Sequence, residues 1–173
     1  MPHSSFSDWN CSVARTLDVL RDPWTTLILR DIGIGISRFS RIQADLGISR
    51  RTLTERLAAL VDQGVVQRAA YQEHPPRYDY HLTAKGVELA YVLLAMQAWG
   101  DRWTTDEAGP PIVWKHLKCG EFSTPTLACS ECGEPLKAGE AVPYLGPGAE
   151  DGVPGTTEVP AAIARLHEAF GIG

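Results

Sequence analysis

The sequence predicts a mainly α fold carrying one small β-hairpin, followed by a small cysteine-bearing module of different character. Three observations lead there. Apolar residues recur at helical spacing in successive segments of the first 103 residues. Two short β-prone runs, residues 65–68 and 77–82, flank a polar linker that contains Pro75-Pro76. After residue 112 the helical pattern gives way to a cluster of His116, Cys119, Cys129 and Cys132.

The elements follow in order. Residues 12–20 place Val13, Leu17 and Leu20 at helical spacing. Asp22 is suited to an N-cap and Pro23 to the first position of a second helix, which runs through Leu27, Ile28 and Ile32 and ends at Gly33-Ile34-Gly35. A third helix over residues 38–46 shows Phe39, Ile42 and Leu46 on one face. Gly47, which tolerates left-handed backbone, ends it. Ser49 starts a fourth, in which Leu53, Leu57 and Leu60 share the buried face while Arg50, Arg51, Thr54 and Glu55 fall off it. Gly64 closes that helix, and the hairpin follows. Thr83 caps a long helix over residues 84–103 that is apolar nearly all round, with Val87, Leu89, Val92, Leu93, Met96 and Trp99. A helix greasy on more than one face needs a second cover. The candidates are the same helix of a second copy and the chain's own C-terminal extension; a two-fold dimer is the simpler solution.

Composition sets the boundaries: 1–103 for the helical, dimerising domain, 104–112 for a polar linker, 113–145 for the cysteine module, and 146–173 for a Gly/Pro-rich stretch with one short helix bearing Ile163, Leu166 and Phe170. No apolar run approaches the roughly 18 residues of a membrane span. The opening Met1-to-Asp8 stretch lacks the basic and then apolar regions of a secretion signal, so a cytoplasmic location is expected.

The net charge of −5 argues against a general polyanion binder, but the average hides an asymmetry. Residues 1–103 carry twelve basic and eleven acidic side chains, residues 104–173 four and ten. Within residues 38–77 seven arginines face four acids, with no lysine. Arginine has the fork geometry that suits phosphates and guanine edges, and a local basic surface outweighs the global sum. A solvated helix face accounts for the charge equally well.

Helix, tight Gly47-Ile48 turn, helix and hairpin together make a winged helix-turn-helix. Its second helix fits the major groove of duplex DNA, with N-terminal residues reaching base edges and phosphates. Those residues are Ser49, Arg50, Arg51 and Thr52, with Thr54 and Arg56 one turn on. His74 and Arg77 at the hairpin would meet the adjacent backbone or minor groove. Arg56 is the weaker member of this set, because Glu55 lies beside it and the chain's own helices are an alternative neighbour.

The resemblance to a family becomes specific at this point. Cys11 with residues 14–20, Trp24-Thr25, residues 27–31, Arg38-Phe39-Ser40-Arg41-Ile42, Gly47-Ile48-Ser49, residues 53–60, residues 64–68, residues 75–83, Gly86 and Trp99-Gly100 resemble, in order, the HxlR-type transcriptional regulators. The match covers about residues 11–103. It implies a homodimeric, MarR-like winged-helix regulator that binds a two-fold operator in double-stranded DNA as a repressor. Residues 49–56 would be the recognition helix and Arg77 a wing contact. Some members use an N-terminal cysteine to sense oxidants or quinones, and Cys11 stands at that position. Its place before a helix, with Arg15 one turn on, suits a thiolate; a small buried side chain at a dimer interface suits it too.

The module after residue 112 departs from the compact members of that family. His116-x2-Cys119 and Cys129-x2-Cys132 are separated by nine residues, and each pair is followed by glycine, Gly120 and Gly133. Two such pairs can wrap a tetrahedral Zn2+ from two sides, as in zinc ribbons, and four protein ligands make the site structural. His116 is the weaker ligand, and His167 is an alternative fourth. A redox dithiol at Cys129 and Cys132 lacks the βαβ surroundings that would support it. Trp99, Trp103 and Trp114 are candidates to line a small-effector pocket or to pack as core. Metalloprotease, hydrolase and nucleotide-loop motifs are all missing from the sequence, so an enzyme is not expected. The competing readings are a protein-interaction adaptor on the same scaffold and a small zinc or thiol protein.

Overall fold

The chain forms α1 (Ser12–Leu20), α2 (Pro23–Gly33), α3 (Phe39–Leu46), α4 (Arg50–Asp62), β1 (Val66–Gln72), β2 (Arg77–Leu82), α5 (Ala84–Trp103), β3 (Trp114–Lys115), β4 (Phe122–Ser123) and α6 (Val159–Phe170). The structure is a computed structural model describing residues 5–150 and 152–172, so the first half of the expected non-signal N-terminus lies outside the described residues.

Helix starts fall where the side chains provide caps. Asp22 accepts from the Thr25 N–H at 3.1 Å, Ser49 from the Thr52 N–H at 3.0 Å, and Thr83 from the Gly86 N–H at 3.2 Å. Each cap satisfies a donor that the first helical turn cannot, a contribution of about 0.5–2 kcal/mol. Gly47 ends α3 in the left-handed conformation, at φ 63°.

The chain divides into two compact units. The larger, residues 22–135, packs α2, α3, α4 and the β1–β2 hairpin around Ile28, Leu29, Ile42, Leu53, Leu57, Leu60, Val65 and Val66, all buried. Burial of each large side chain stabilises by about 1.5–3 kcal/mol. The hairpin is antiparallel, with Val66 opposite Leu82 and Arg68 opposite Tyr80. It is fastened to the entry of α3, where Ser37 O accepts from the Tyr80 N–H at 2.8 Å. β1 runs to Gln72, beyond the residue 68 expected from β-branched content, because pairing with residues 77–80 extends the ladder through Ala69 and Ala70.

The smaller unit joins the N-terminal residues up to Arg21 with those from Leu136 on, and holds α1 and α6. The Asn10 N–H donates to Pro154 O at 3.2 Å, its Nδ2 to Gly148 O at 2.9 Å, and its Oδ1 accepts from the Glu150 N–H at 3.4 Å. These bonds tie the start of the chain to the Gly/Pro-rich stretch. The compact units are thus cut at 21 and 135, whereas composition places boundaries at 103, 112 and 145. No helix among the described residues is long and apolar enough to cross a membrane.

Candidate nucleic-acid interface

Leu53, Leu57 and Leu60 anchor α4 in the core, each at most 1% exposed, which fixes which side of the helix is left outward. Ser49, Arg50, Arg51 and Thr54 are exposed on that side and Thr52 is half-buried. Ser49 and Thr52 are partly committed to each other, with 2.8 Å between their hydroxyl oxygens. Thr54 donates back to Arg50 O at 2.8 Å. The helix N-terminus they surround carries a partial positive charge and unpaired N–H groups, both favourable to phosphate.

The arginines have three different surroundings. Arg50 lies over the Phe39 ring, 5.2 Å from its centre. Arg51 is 88% exposed and pairs with Glu55 one turn on, Nε to Oε1 at 2.8 Å. The hydrogen bond that Arg51 donates to Glu55 holds the Glu55 carboxyl below its ordinary value and raises that of the Arg51 guanidinium. Arg56, expected among the DNA contacts, is instead turned inward. Its side chain is 27% exposed and its Nε lies against Asp22 Oδ2 as an ion pair with the α2 N-cap residue. The reason is helical spacing: Arg56 comes three residues after Leu53 and four before Leu60, beside the buried stripe. In this position it braces α2 against α4.

The hairpin completes a concave surface. A cleft of about 720 Å³ opens between α3, α4 and the wing, with Arg50, Arg68 and Arg77 lining it among Phe39, Tyr71 and Tyr78. Arg68 lies over the Tyr78 ring at 4.7 Å and Arg38 over that of Tyr71 at 4.8 Å. Rings in this position hold guanidinium groups in place while leaving their N–H forks available. Sequence reasoning missed Arg68, although the alternation of Tyr78 and Tyr80 along β2 marks one face of the wing. His74 and Arg77 are both exposed at the hairpin end, where His74 O accepts from Gln72 Nε2 at 3.0 Å.

Beneath the site, Asp31 on α2 is fully buried. It receives Arg30 Nη2 at 2.6 Å, and Arg30 also reaches Asp45 at 3.0 Å. Burial pushes the Asp31 carboxyl above its ordinary value despite that partner, and its Oδ2 has no hydrogen-bond partner among the described residues.

Cys11 is the N-cap residue of α1 and half-buried, in the smaller unit. Gly155 approaches it closely: a Cβ added there would lie 3.4 Å from the Cys11 Cβ and 3.0 Å from the Trp9 ring. The four candidate metal ligands come together two by two. His116 Nδ1 lies 3.2 Å from Cys119 Sγ. The Cys129 thiol is held below its ordinary value by the backbone N–H of Cys132, then by that of Glu131 and by the Cys132 side chain. Among the described residues no three His, Cys, Asp or Glu side chains stand close enough to share one ion. His167, the alternative ligand, instead meets Pro143 O at 2.8 Å and the Tyr144 ring at 4.2 Å. Trp114 donates from Nε1 to Gln97 Oε1 at 2.9 Å, while Trp99 and Trp103 are largely exposed.

Comparison with known proteins bears on this geometry. The profile of the HxlR-like helix-turn-helix family matches residues 19–108. An uncharacterised HTH-type transcriptional regulator of Mycobacterium tuberculosis is 40% identical over 137 residues, 79% of this chain and 87% of its own. One from Bacillus subtilis, YvaP, is 40% identical over 90 residues, 51% of this chain and 83% of its own. Among solved structures, PA1607, described as a candidate transcription factor, superposes with a TM-score of 0.70 at 30% identity, over 82% of this chain and 99% of its own. The redox regulator HypR in its oxidised form gives 0.50 at 32% identity, over 56% of this chain and all of its own.

Proposed function

The chain belongs to the HxlR-like helix-turn-helix family, a family of transcription regulators and not of enzymes, and from that premise we propose how this DNA-binding regulator reads its site. Two copies act together, each laying α4 into the major groove of one half of a two-fold operator, and the bound dimer represses. The observation that carries this reading is the exposed first turn of α4: Arg50, Arg51 and Thr54 are exposed just after the Gly47-Ile48 turn, off the stripe of three fully buried leucines. Arg50 and Arg51 contact base edges and phosphate, Ser49 and Thr52 offer hydroxyls at the helix N-terminus, and Arg77 and His74 track the neighbouring backbone. Arg68 joins them from the cleft.

The dimer rests on α5. Val92, Met96, Trp99 and Trp103 fall at i, i+4, i+7 and i+11 on one stripe and all are exposed in the single chain. A contiguous apolar stripe of that length needs a cover, and a second α5 supplies one of matching shape. Two-fold pairing sets the half-sites about 34 Å apart, one turn of duplex.

The input is an oxidant or small molecule acting through Cys11. The structurally similar HypR is a redox regulator, and Cys11, a free half-buried thiol at the start of α1, has an intersubunit disulfide or an adduct as its available oxidation chemistry. Selection of bound fragments from genomic DNA, with and without oxidant, tests the whole reading. A symmetric site recovered by a dimer, and lost or retained according to oxidant, is expected. Recovery of no duplex by a chain that remains folded would leave a protein-interaction adaptor as the better account.

A further inference from the structure

The turns that carry the cysteines are two copies of one device. In the first, the His116 N–H donates to Glu121 O at 2.8 Å and the Gly120 N–H returns to His116 O at 2.8 Å. In the second, the Cys129 N–H donates to Glu134 O at 2.9 Å and the Gly133 N–H returns to Cys129 O at 2.9 Å. The glycines have matching left-handed backbones, φ 79° and 76°. Each turn is clamped at its base by a short antiparallel pairing, β3 with β4 in the first and Ala128 with Pro135 in the second. Each places a donor pair, position one and position four of the turn, in mutual contact: His116 with Cys119, and Cys129 with Cys132. In the second turn the backbone N–H groups of Glu131 and Cys132 point at the Cys129 sulfur.

These turns have nothing to fold around. No residue from 113 to 135 is buried; Pro125 and Cys129 are half-buried, and Leu117 is 93% exposed. Two-residue strands and exposed turns do not hold a shape in water on hydrogen bonds alone. Segments of this size without a core are ordered by a cross-link or a metal.

We propose that the two turns are the halves of one tetrahedral site for a borderline-soft divalent cation, zinc foremost, with His116, Cys119, Cys129 and Cys132 as its four ligands. Each turn presents half of the coordination sphere, and the ion supplies the contact that brings the halves together. One nitrogen and three sulfurs are the donor set that favours zinc over the hard cations. With all four positions taken by protein the ion is structural. Its binding displaces the thiol protons, so uptake falls as pH is lowered.

The test uses the full chain, purified after growth with zinc and then exchanged with cobalt(II). Metal analysis should find about one zinc per chain, and the cobalt form should show the intense ligand-field bands of tetrahedral thiolate coordination. Cys119→Ser and Cys132→Ser should each lose the metal, while His116→Cys should keep it and shift the cobalt bands toward an all-sulfur set. The circular dichroism melt of each variant reports whether residues 22–135 still fold, so loss of metal is not confused with loss of fold. Only trace metal in the folded chain overturns the proposal, as does a Cys129–Cys132 disulfide found by non-reducing mass spectrometry. Full retention of zinc by Cys119→Ser overturns the pairing of the two turns. Duplex affinity of the same samples is read separately, so failure here is distinguishable from failure of the DNA-binding account.

Discussion

Arg56, in the middle of the helix that faces outward, is ion-paired with Asp22, the residue that caps the helix behind it. The pair fastens the presenting helix to its support, and both side chains are only about a quarter exposed. Arg56→Ala leaves the Asp22 carboxylate without this partner, and should destabilise by about 1–3 kcal/mol. A melt equal to that of the wild type, together with a specific loss of duplex affinity, would return Arg56 to the DNA-contacting set.

Arg51 and Glu55 give the opposite case, a pair in open solvent that would compete with duplex on the proposed placement of α4. Glu55→Gln releases the Arg51 guanidinium, and duplex affinity at low salt should rise a few-fold while the melt barely moves. The Glu55 carboxyl is held below its ordinary value, so whatever the pair adds to stability is present above that ordinary value and is lost as pH falls through the lowered one. Unchanged affinity in Glu55→Gln, measured by fluorescence anisotropy, would mean that Arg51 does not face the duplex.

Asp31 should give stability a pH dependence of the other sign. Its folded carboxyl titrates above its ordinary value because it is buried, so the folded chain holds that proton more tightly than the unfolded chain. Stability from this group is greatest in acid and declines as pH rises from the ordinary value through the raised one. Asp31→Asn removes the titration. The melting temperature of the variant minus that of the wild type should therefore increase with pH across that window. A difference that is flat with pH would show that Arg30 fully offsets the burial.

Gly86 is the one buried residue of α5, and a Cβ there would run into the Val65 carbonyl oxygen and press on Leu82. That oxygen also accepts the Thr83 N–H at 3.0 Å, so it cannot move without loosening the cap of α5. Gly86→Ala should cost about 1–3 kcal/mol despite the higher helix propensity of alanine. Equal or greater stability in a urea titration would mean that the helix can shift away from the hairpin.

What was legible in the sequence was what local chemistry decides. Asp22-Pro23, Ser49 and Thr83 are caps whose partners lie three residues on, and Leu53, Leu57 and Leu60 name their own buried face, so the starts of α2, α4 and α5 and the outward side of α4 could be read directly. Arg56 was half legible: its spacing put it beside the stripe, but its acceptor belongs to another helix far upstream. The bonds of Asn10 to Gly148 and Pro154 were not legible at all, since backbone groups of distant segments leave no mark in residue type. The paired turns were visible as His-x2-Cys and Cys-x2-Cys; the identical hydrogen bonding within them was not.

The most direct measurement is the affinity of the chain for its selected duplex across a salt series, wild type against the Arg50→Ala, Arg51→Ala double variant, with the melt of each recorded alongside. Loss of about 1–3 kcal/mol of binding per arginine, a shallower dependence on salt and an unchanged melt are expected. Equal affinity and equal salt dependence in a variant that melts with the wild type would contradict the placement of α4 in the groove.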